Sequence, residues 1–280
     1  MQHKMKEIVF LNGRFLPLKE AKISALTPGV LYGWGLFESM RSYDNRIVYF
    51  GQHLKRIKDS SKLTDLKFSY SIAELEEIIR KLVKINGFKD SYVRLSLWKA
   101  DLRTDILIFV KEYKPYTPNG YKKGFRACIS RHRQNEFSHL AHHKTTSCLL
   151  YQLAYLEAKH KGFDEALFLN NRGFISEATR SNIFFVKGND IFTPALECGC
   201  LNGITRKAIF DLAKNSHVKI YEGNFTLRDL YTADGAFLTN SLMGVMPLVY
   251  IEKNKIGEGK RRRLTGYFIK KYNLLLKNGI

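Results

Sequence analysis

Along the first third of the chain, apolar and polar positions change over in short runs broken by turn-forming pairs. Ile8 to Leu11 runs into Asn12-Gly13, a pair suited to the left-handed backbone of a tight hairpin turn. Arg46 to Phe50 follows Asp44-Asn45 and reads as a strand after a similar turn. The period then lengthens. His53 to Leu63 reads as a helix, and over Ile72 to Ile85 the residues Leu75, Ile78, Ile79, Leu82 and Val83 fall on one side of a second, which Asn86-Gly87 ends. Strands are expected at Tyr92 to Trp98 and Ile106 to Glu112.

Pro115, Pro118, Asn119 and Gly120 punctuate the chain next and mark a linker. Beyond it, Phe125 to Arg131 reads as a strand and Ser147 to Lys161 as a helix. Glu165 to Leu169 and Asn182 to Val186 read as strands around a turn at Asn171 to Gly173. Thr205 to Asn215 follows as a helix, then strands at Gly235 to Thr239 and Leu248 to Ile251, and a closing helix from Arg262 to Leu276. Strands and helices mix in both halves without internal repeats. The pattern predicts an α+β protein of two domains, a small one over 1–114 and a larger one over 120–280 that carries Lys144.

Composition narrows the class. With 280 residues, 45% of them hydrophobic, the chain can bury sizeable cores and is unlike a disordered segment. No apolar run reaches the roughly 18 residues of a membrane span, and the start, MQHKMKEIVFLNGRF, lacks the apolar stretch of a secretory signal. A cytoplasmic protein without a membrane partner is expected. Cys128, Cys148, Cys198 and Cys200 are too scattered for a disulfide framework. Cys198 and Cys200 with His139, His142 and His143 lack zinc-site spacing, so no metal is expected.

Lys plus Arg is 46 against 26 for Asp plus Glu, a formal charge of +20, which favours anionic partners. The densest basic run is Lys260 to Arg263 and the rest is dispersed, with no nucleic-acid-binding motif alongside. A solvated basic face is the reading, and a nucleic-acid partner is not expected.

Candidate chemistry begins at Lys144, in HHKTTSCLLYQLAYLEAK. It stands just before an apolar helical run, where partial burial would depress its pKa and leave a neutral amine for a Schiff base; an ordinary solvated lysine is the other reading. The segment from Lys144 to Thr205 resembles the fold-type IV pyridoxal-phosphate enzymes, the family of branched-chain aminotransferases, D-amino-acid aminotransferases and aminodeoxychorismate lyases. The resemblance is carried by KGFDEALFLNNRGFISEATRSNIFFV and IFTPALECGCLNGITRKAI, with Glu177, Asn182 five residues on, and Gly203-Ile204-Thr205-Arg206. YGWGLFESMR at 32–41, HLKRIKDS at 53–60 and TNSLMGVMPL at 239–248 extend it over most of the chain.

The resemblance implies a two-domain fold like that of D-amino-acid aminotransferase, a homodimer, and pyridoxal 5'-phosphate in the interdomain cleft. Lys144 would hold the cofactor as a Schiff base. Glu177 would face the pyridine nitrogen and keep it protonated, and Asn182 would support the backbone nearby. Ile204 and Thr205, where a loop opens a helix, would bind the phosphate together with Arg56, Thr239 and Asn240. Read without the family, Arg56 is a helix-surface arginine and Thr239-Asn240 a strand end.

The implied substrate is a small metabolite bearing an amine and a carboxylate. Tyr92 and Arg94 resemble a Tyr-x-Arg arrangement of the branched-chain enzymes, and strand alternation puts both on one face. Arg94 is then a substrate or loop-positioning residue, or half of a structural ion pair. Arg103 either grips a carboxylate with its guanidinium fork or lies on a turn surface. Ser39 keeps a hydroxyl where the lyases have Thr, and Trp34 stands where the family often has Asp. Glu38 and Arg41 bear on the site or are buried structural polar residues.

Leu149, five residues after the lysine, replaces a tyrosine of the branched-chain enzymes and cannot make its hydrogen bond. Leu97-Trp98 replaces the Arg-Gly pair of the D-amino-acid enzymes and also removes an arginine commonly found in the lyases. YGWGLFESMR and ADGAFLTNSLMGVMPL resemble the lyase pattern more closely than the branched-chain one, and that resemblance implies an aminodeoxychorismate lyase that releases 4-aminobenzoate and pyruvate. The alternative is a class IV aminotransferase passing the amine of a branched-chain or similar amino acid to a 2-oxo acid.

Overall fold

The hairpin expected at Asn12-Gly13 forms, with both residues at positive φ, 47° and 87°. It joins β1 (Ile8–Leu11) to β2 (Arg14–Pro17). A computed structural model describes residues 7–44, 46–67, 70–257 and 263–278. The chain divides into two compact units, one ending at Lys114 but also including His143–Ser147, the other made of Pro115–His142 and Cys148–Asn278. Lys144, expected in the second domain, thus packs with the first unit.

After a short helix α1 (Pro28–Leu31), the first unit runs through β3 (Gly35–Tyr43), β4 (Arg46–Ile47), α2 (Phe50–Leu63), α3 (Ile72–Asn86), β5 (Asp90–Ala100) and β6 (Arg103–Glu112). Its six strands form an antiparallel sheet in the order β2-β1-β6-β5-β3-β4. Inward-facing Leu36, Met40, Val93, Leu95, Leu97, Ile106 and Ile108 meet Leu54, Ile57, Leu75, Ile79 and Leu82 from the helices in one core. The start of α3 is fixed by a capping box between Ser71 and Glu74, and Gly87 in the left-handed region ends it.

Two differences from the sequence pattern have simple causes. Arg46 to Phe50 is not one strand. Pairing stops after Ile47, and Tyr49 at φ 54° turns the chain so that Phe50 opens α2; Asn45 of the proposed turn lies outside the described residues. β3, nine residues long, escapes a search for alternation because two of the residues on its covered face, Glu38 and Ser42, are polar and fully buried.

The second unit opens where a linker was expected. Instead, Thr117 caps a helical turn, α4 (Pro118–Lys123), accepting from the Gly120 amide with Pro118 at the first position. Then come β7 (Phe125–Gln134), α5 (Leu149–His160), β8 (Glu165–Asn170), β9 (Ile175–Ala178), β10 (Asn182–Lys187), β11 (Asp190–Pro194), α6 (Ile204–Lys214), β12 (Ile220–Gly223), α7 (Leu227–Tyr231), β13 (Gly235–Asn240), β14 (Gly244–Ile251), β15 (Asn254–Lys255) and α8 (Arg263–Asn278). The strands make one mixed sheet in the order β12-β11-β10-β13-β14-β7-β8-β9, with β15 on β14. Leu167, Leu169, Ile183, Phe185, Leu238, Met246 and Leu248 are among its core residues.

Arg262, proposed to open the last helix, and Lys260 and Arg261 of the basic run lie outside the described residues. Among the described residues no helix is long and apolar enough to cross a membrane, no cluster of side chains has a metal-binding arrangement, and all four cysteines are free.

Candidate active site

Lys144 is half-buried, and its segment is fastened to β3 almost as an added strand. The Phe37 amide donates to the Lys144 carbonyl at 2.9 Å, the Thr146 amide to the Gly35 carbonyl at 2.9 Å, and Leu36 bridges Thr145. Gly35 permits this approach. A Cβ there would stand 2.7 Å from both Thr146 Oγ1 and the Leu97 carbonyl, closer than packed atoms come. Lys144 Nζ sits 4.5 Å from the centre of the Phe37 ring. On the same ring lies the guanidinium of Arg94, 3.8 Å from its centre, so one aromatic ring carries both the amine and an arginine.

Around Arg94 the face of the sheet turned away from its helices gathers the expected polar residues, partly buried. Tyr92 hydroxyl accepts from Arg94 Nη1 at 3.5 Å and meets Ser39 Oγ at 3.3 Å, while Arg94 Nε donates to Ser96 Oγ at 3.2 Å. Register explains the grouping, since Ser39 pairs with Arg94 across β3 and β5. Arg103 is elsewhere, beside the β5–β6 turn, with its side chain 74% exposed and donating to Asp105 Oδ1 at 2.8 Å. Arg41 pairs with both oxygens of Asp90. The Trp34 indole donates to the Thr64 carbonyl at 2.7 Å.

Beneath that face is a buried charge network. Arg56, on α2, donates from Nε to Glu38 Oε1 and from Nη2 to Oε2, each at 2.7 Å, and His53, one turn earlier, meets Oε2 at 2.7 Å. Glu38 and His53 are essentially inaccessible to water. Burial alone would raise the Glu38 carboxyl, but the Arg56 charge and its partners' hydrogen bonds outweigh it and lower the pKa from 4.5 to about 2. Burial holds His53 below its usual 6.5, the direction of a neutral ring. Glu38 therefore holds Arg56 through both Nε and Nη2.

In the second unit Glu177, on β9, is buried, with a carboxylate that accepts from the Tyr151 hydroxyl at 3.3 Å on Oε1, and from Asn182 Nδ2 and the Leu201 amide at 3.1 Å each on Oε2. Asn182 also donates to the Leu201 carbonyl at 2.8 Å. It thereby ties the acid to the loop that leads into α6. Gly203 caps that helix without a side chain, and a Cβ there would stand 2.1 Å from Asn182 Oδ1. Arg206 turns away from the helix start and pairs with Glu222.

The helix start has the makings of an anion site. Its first-turn amides have no partner within the helix, and the nearby Thr205 Oγ1 is buried without a hydrogen-bond partner among the described residues. Thr239, which pairs with Asn182 across β10 and β13, has a hydroxyl in the same condition. An unsatisfied buried hydroxyl costs about 1–3 kcal/mol, so two of them mark places where a bound acceptor is expected. Asn240 is differently engaged, its Oδ1 taking the amides of Leu242 and Met243 at 3.0 and 2.8 Å and its Nδ2 donating to the Arg180 carbonyl at 3.2 Å.

A family model described as class IV amino-transferase matches residues 35–251. The chain belongs to the class IV aminotransferases. Among curated members it is 30% identical over 263 residues to the aminodeoxychorismate lyase of Bacillus subtilis, covering 89% of this chain and 88% of that one. It is 29% identical over 282 residues to the branched-chain-amino-acid aminotransferase of Pseudomonas aeruginosa, covering 95% and 91%. The T.th. branched-chain aminotransferase, solved with pyridoxamine 5'-phosphate, superposes with a TM-score of 0.92 at 26% identity over 98% of this chain and 95% of that one. The α+β, two-domain fold-type IV architecture is thus that of this class IV enzyme.

Three residues at the site were not singled out by the sequence. Phe37 stands in YGWGLFESMR without a role of its own there, His53 shares a helical turn with Arg56, and Tyr151 lies in an apolar run. His53 was discoverable, because a histidine three residues before an arginine faces the same way on a helix. Tyr151 gave no such signal.

Proposed function

We propose that this class IV enzyme is an amino-acid aminotransferase that moves the amine of an apolar or branched-chain amino acid to a 2-oxo acid, with pyridoxal 5'-phosphate as cofactor. The observation that carries the reading is the Phe37 ring bearing Lys144 Nζ and the Arg94 guanidinium together, an amine beside a fork that can take a substrate carboxylate. Arg103, exposed and engaged with Asp105, offers less support for the lyase's carboxylate grip.

The residues present suit the cofactor. Thr205 and Thr239 hydroxyls and the uncapped start of α6 would hold the phosphate; Arg56, held by Glu38 within the first unit, remains the further phosphate residue that the family resemblance implies. When bound, pyridoxal phosphate supplies a carbonyl carbon for amine condensation and a ring that draws electrons from the substrate's α-carbon. Lys144 would be the residue that holds the cofactor, and its free amine would take the proton from the substrate's α-carbon as general base. Glu177, held by Tyr151, Asn182 and Leu201, would face the pyridine nitrogen and, as a carboxylate, favour its protonated form. Arg94, with Tyr92 and Ser39 alongside, orients the substrate by its carboxylate.

Supporting a homodimer, α5 leaves Leu149, Leu153 and Leu156 exposed at the spacing of one helix face. Four free thiols favour a reducing compartment such as the cytoplasm.

A second reading, aminodeoxychorismate lyase in folate synthesis, draws on the Bacillus subtilis relative and on Leu149 in place of the branched-chain tyrosine. One experiment separates them. Cofactor-loaded protein is mixed with L-leucine or with aminodeoxychorismate, each without an added 2-oxo acid. The aminotransferase releases one equivalent of 2-oxo acid per chain from leucine and stops, whereas sustained pyruvate release from aminodeoxychorismate with no response to leucine establishes the lyase.

A further inference from the structure

Leu149 begins α5 and faces solvent, 69% exposed. Two positions on, a rotation of about 200° at the helical period, Tyr151 turns inward. Its ring stands edge-on to the fully buried Phe168, centroids 5.2 Å apart, and its hydroxyl donates to Glu177 Oε1 at 3.3 Å. The chain therefore does supply a tyrosine after Lys144, but the helix directs it to the acid. A phenylalanine would pack against Phe168 as well, so packing alone gives no reason for the hydroxyl.

Glu177 is held on both oxygens. Asn182 Nδ2 and the Leu201 amide hold Oε2, and the Tyr151 hydroxyl donates to Oε1. Donors to a carboxylate stabilise its charged form and lower its affinity for a proton. Burial and the neighbouring Glu177 charge push the Tyr151 phenol upward, so it remains a donor through the working pH range.

We propose that Tyr151 is a positioning residue for Glu177, whose hydroxyl fixes the carboxylate plane and weakens its basicity, so that a proton shared with a pyridine nitrogen rests on the nitrogen. The inference deepens the reading of Glu177 given above and rests on it. It needs no new reactant. Tyr151 keeps its own proton throughout.

The test uses holoenzyme reconstituted with cofactor carrying 15N at the ring nitrogen, in the parent, Tyr151→Phe, Glu177→Gln and the double variant. Borohydride reduction confirms attachment at Lys144 in each. For Tyr151→Phe, the 15N resonance is expected to move toward the unprotonated position, with kcat down about tenfold or more and KM unchanged. The double variant should be no slower than Glu177→Gln alone. Replacing Tyr151 with 3-fluorotyrosine, a stronger donor that keeps the ring, should move the resonance the opposite way, which covers the case of a poorly folded Phe variant.

If Tyr151→Phe and the fluorotyrosine protein both keep the parent resonance while Glu177→Gln shifts it, Tyr151 is structural only and the inference falls with the Glu177 assignment intact. If Glu177→Gln itself leaves the resonance unmoved, the ring-nitrogen role of Glu177 fails, and this inference with it.

Discussion

Replacing Glu38 with Gln keeps the side chain's shape but removes the charge that Arg56 and His53 share. The amide presents one oxygen where two stood, and its NH2 group points a donor at donors. The size of the effect follows from the pKa. Lowering a buried carboxyl from 4.5 to about 2 corresponds to about 3 kcal/mol at about 1.4 kcal/mol per pH unit, and stranding one partner of a buried ion pair typically costs about 3–5 kcal/mol.

The sign is fixed by the direction of the shift. A depressed carboxyl contributes its full stability above its unfolded value of 4.5 and loses it as pH falls toward 2. His53, also depressed, adds a loss that begins as pH falls below 6.5. Trp34 and Trp98, the chain's two tryptophans, both lie in the first unit, so tryptophan fluorescence during urea unfolding reads the unit that holds Glu38. At pH 7 the Glu38→Gln protein should be less stable by about 3 kcal/mol, and the gap should narrow as both proteins are taken from pH 4.5 toward 2. Equal stability at pH 7, or a gap that stays constant down to pH 3, would refute the charge-network reasoning.

Other expectations are independent of that one. Glu165 is buried against the hydroxyls of Thr179 and Ser181, and burial raises its pKa to about 7; a raised acid gives up stability as pH climbs from 4.5 through 7. Glu165→Gln should match the parent at pH 5 and exceed it at pH 8.5 by about 1–3 kcal/mol, and no gain in chemical denaturation at the higher pH would argue against a buried ionising carboxyl. Thr205→Val should leave apo-protein stability unchanged or slightly higher while weakening pyridoxal phosphate binding about tenfold or more, measured by equilibrium dialysis; parent-like affinity removes Thr205 from the phosphate site. Arg94→Ala should raise KM for the amino acid by about tenfold to a hundredfold, and Arg103→Ala should stay within about twofold on the same measure. The reverse ranking assigns the carboxylate to Arg103.

Much of this was legible in the chain because local chemistry and tertiary structure agree. The Asn12-Gly13 turn and the capped α3 with its five-residue apolar face state their structure locally. Where the sequence was opaque, a tertiary contact decided. β3 hides its alternation because its covered face holds Glu38, whose partners are on α2. The Pro115 to Gly120 stretch looks like a linker, since proline and glycine usually break structure, yet Thr117 and Pro118 are also good residues for opening a helix. Asn240 and Arg103 sit in motifs that suggested ligand contacts, and only the folded chain shows them engaged by Leu242, Met243 and Asp105. Tyr151 depended on the phase of α5, which two residues either way would have reversed.

The most direct test of the account is reduction of the pyridoxal-phosphate-loaded protein with borohydride, followed by digestion and peptide mapping. The prediction is one equivalent of reduced cofactor per chain, all of it on Lys144, and none on the Lys144→Ala protein. Recovery of the cofactor on a different lysine, or equal labelling of the Lys144→Ala protein, would contradict the assignment on which the rest of the mechanism is built.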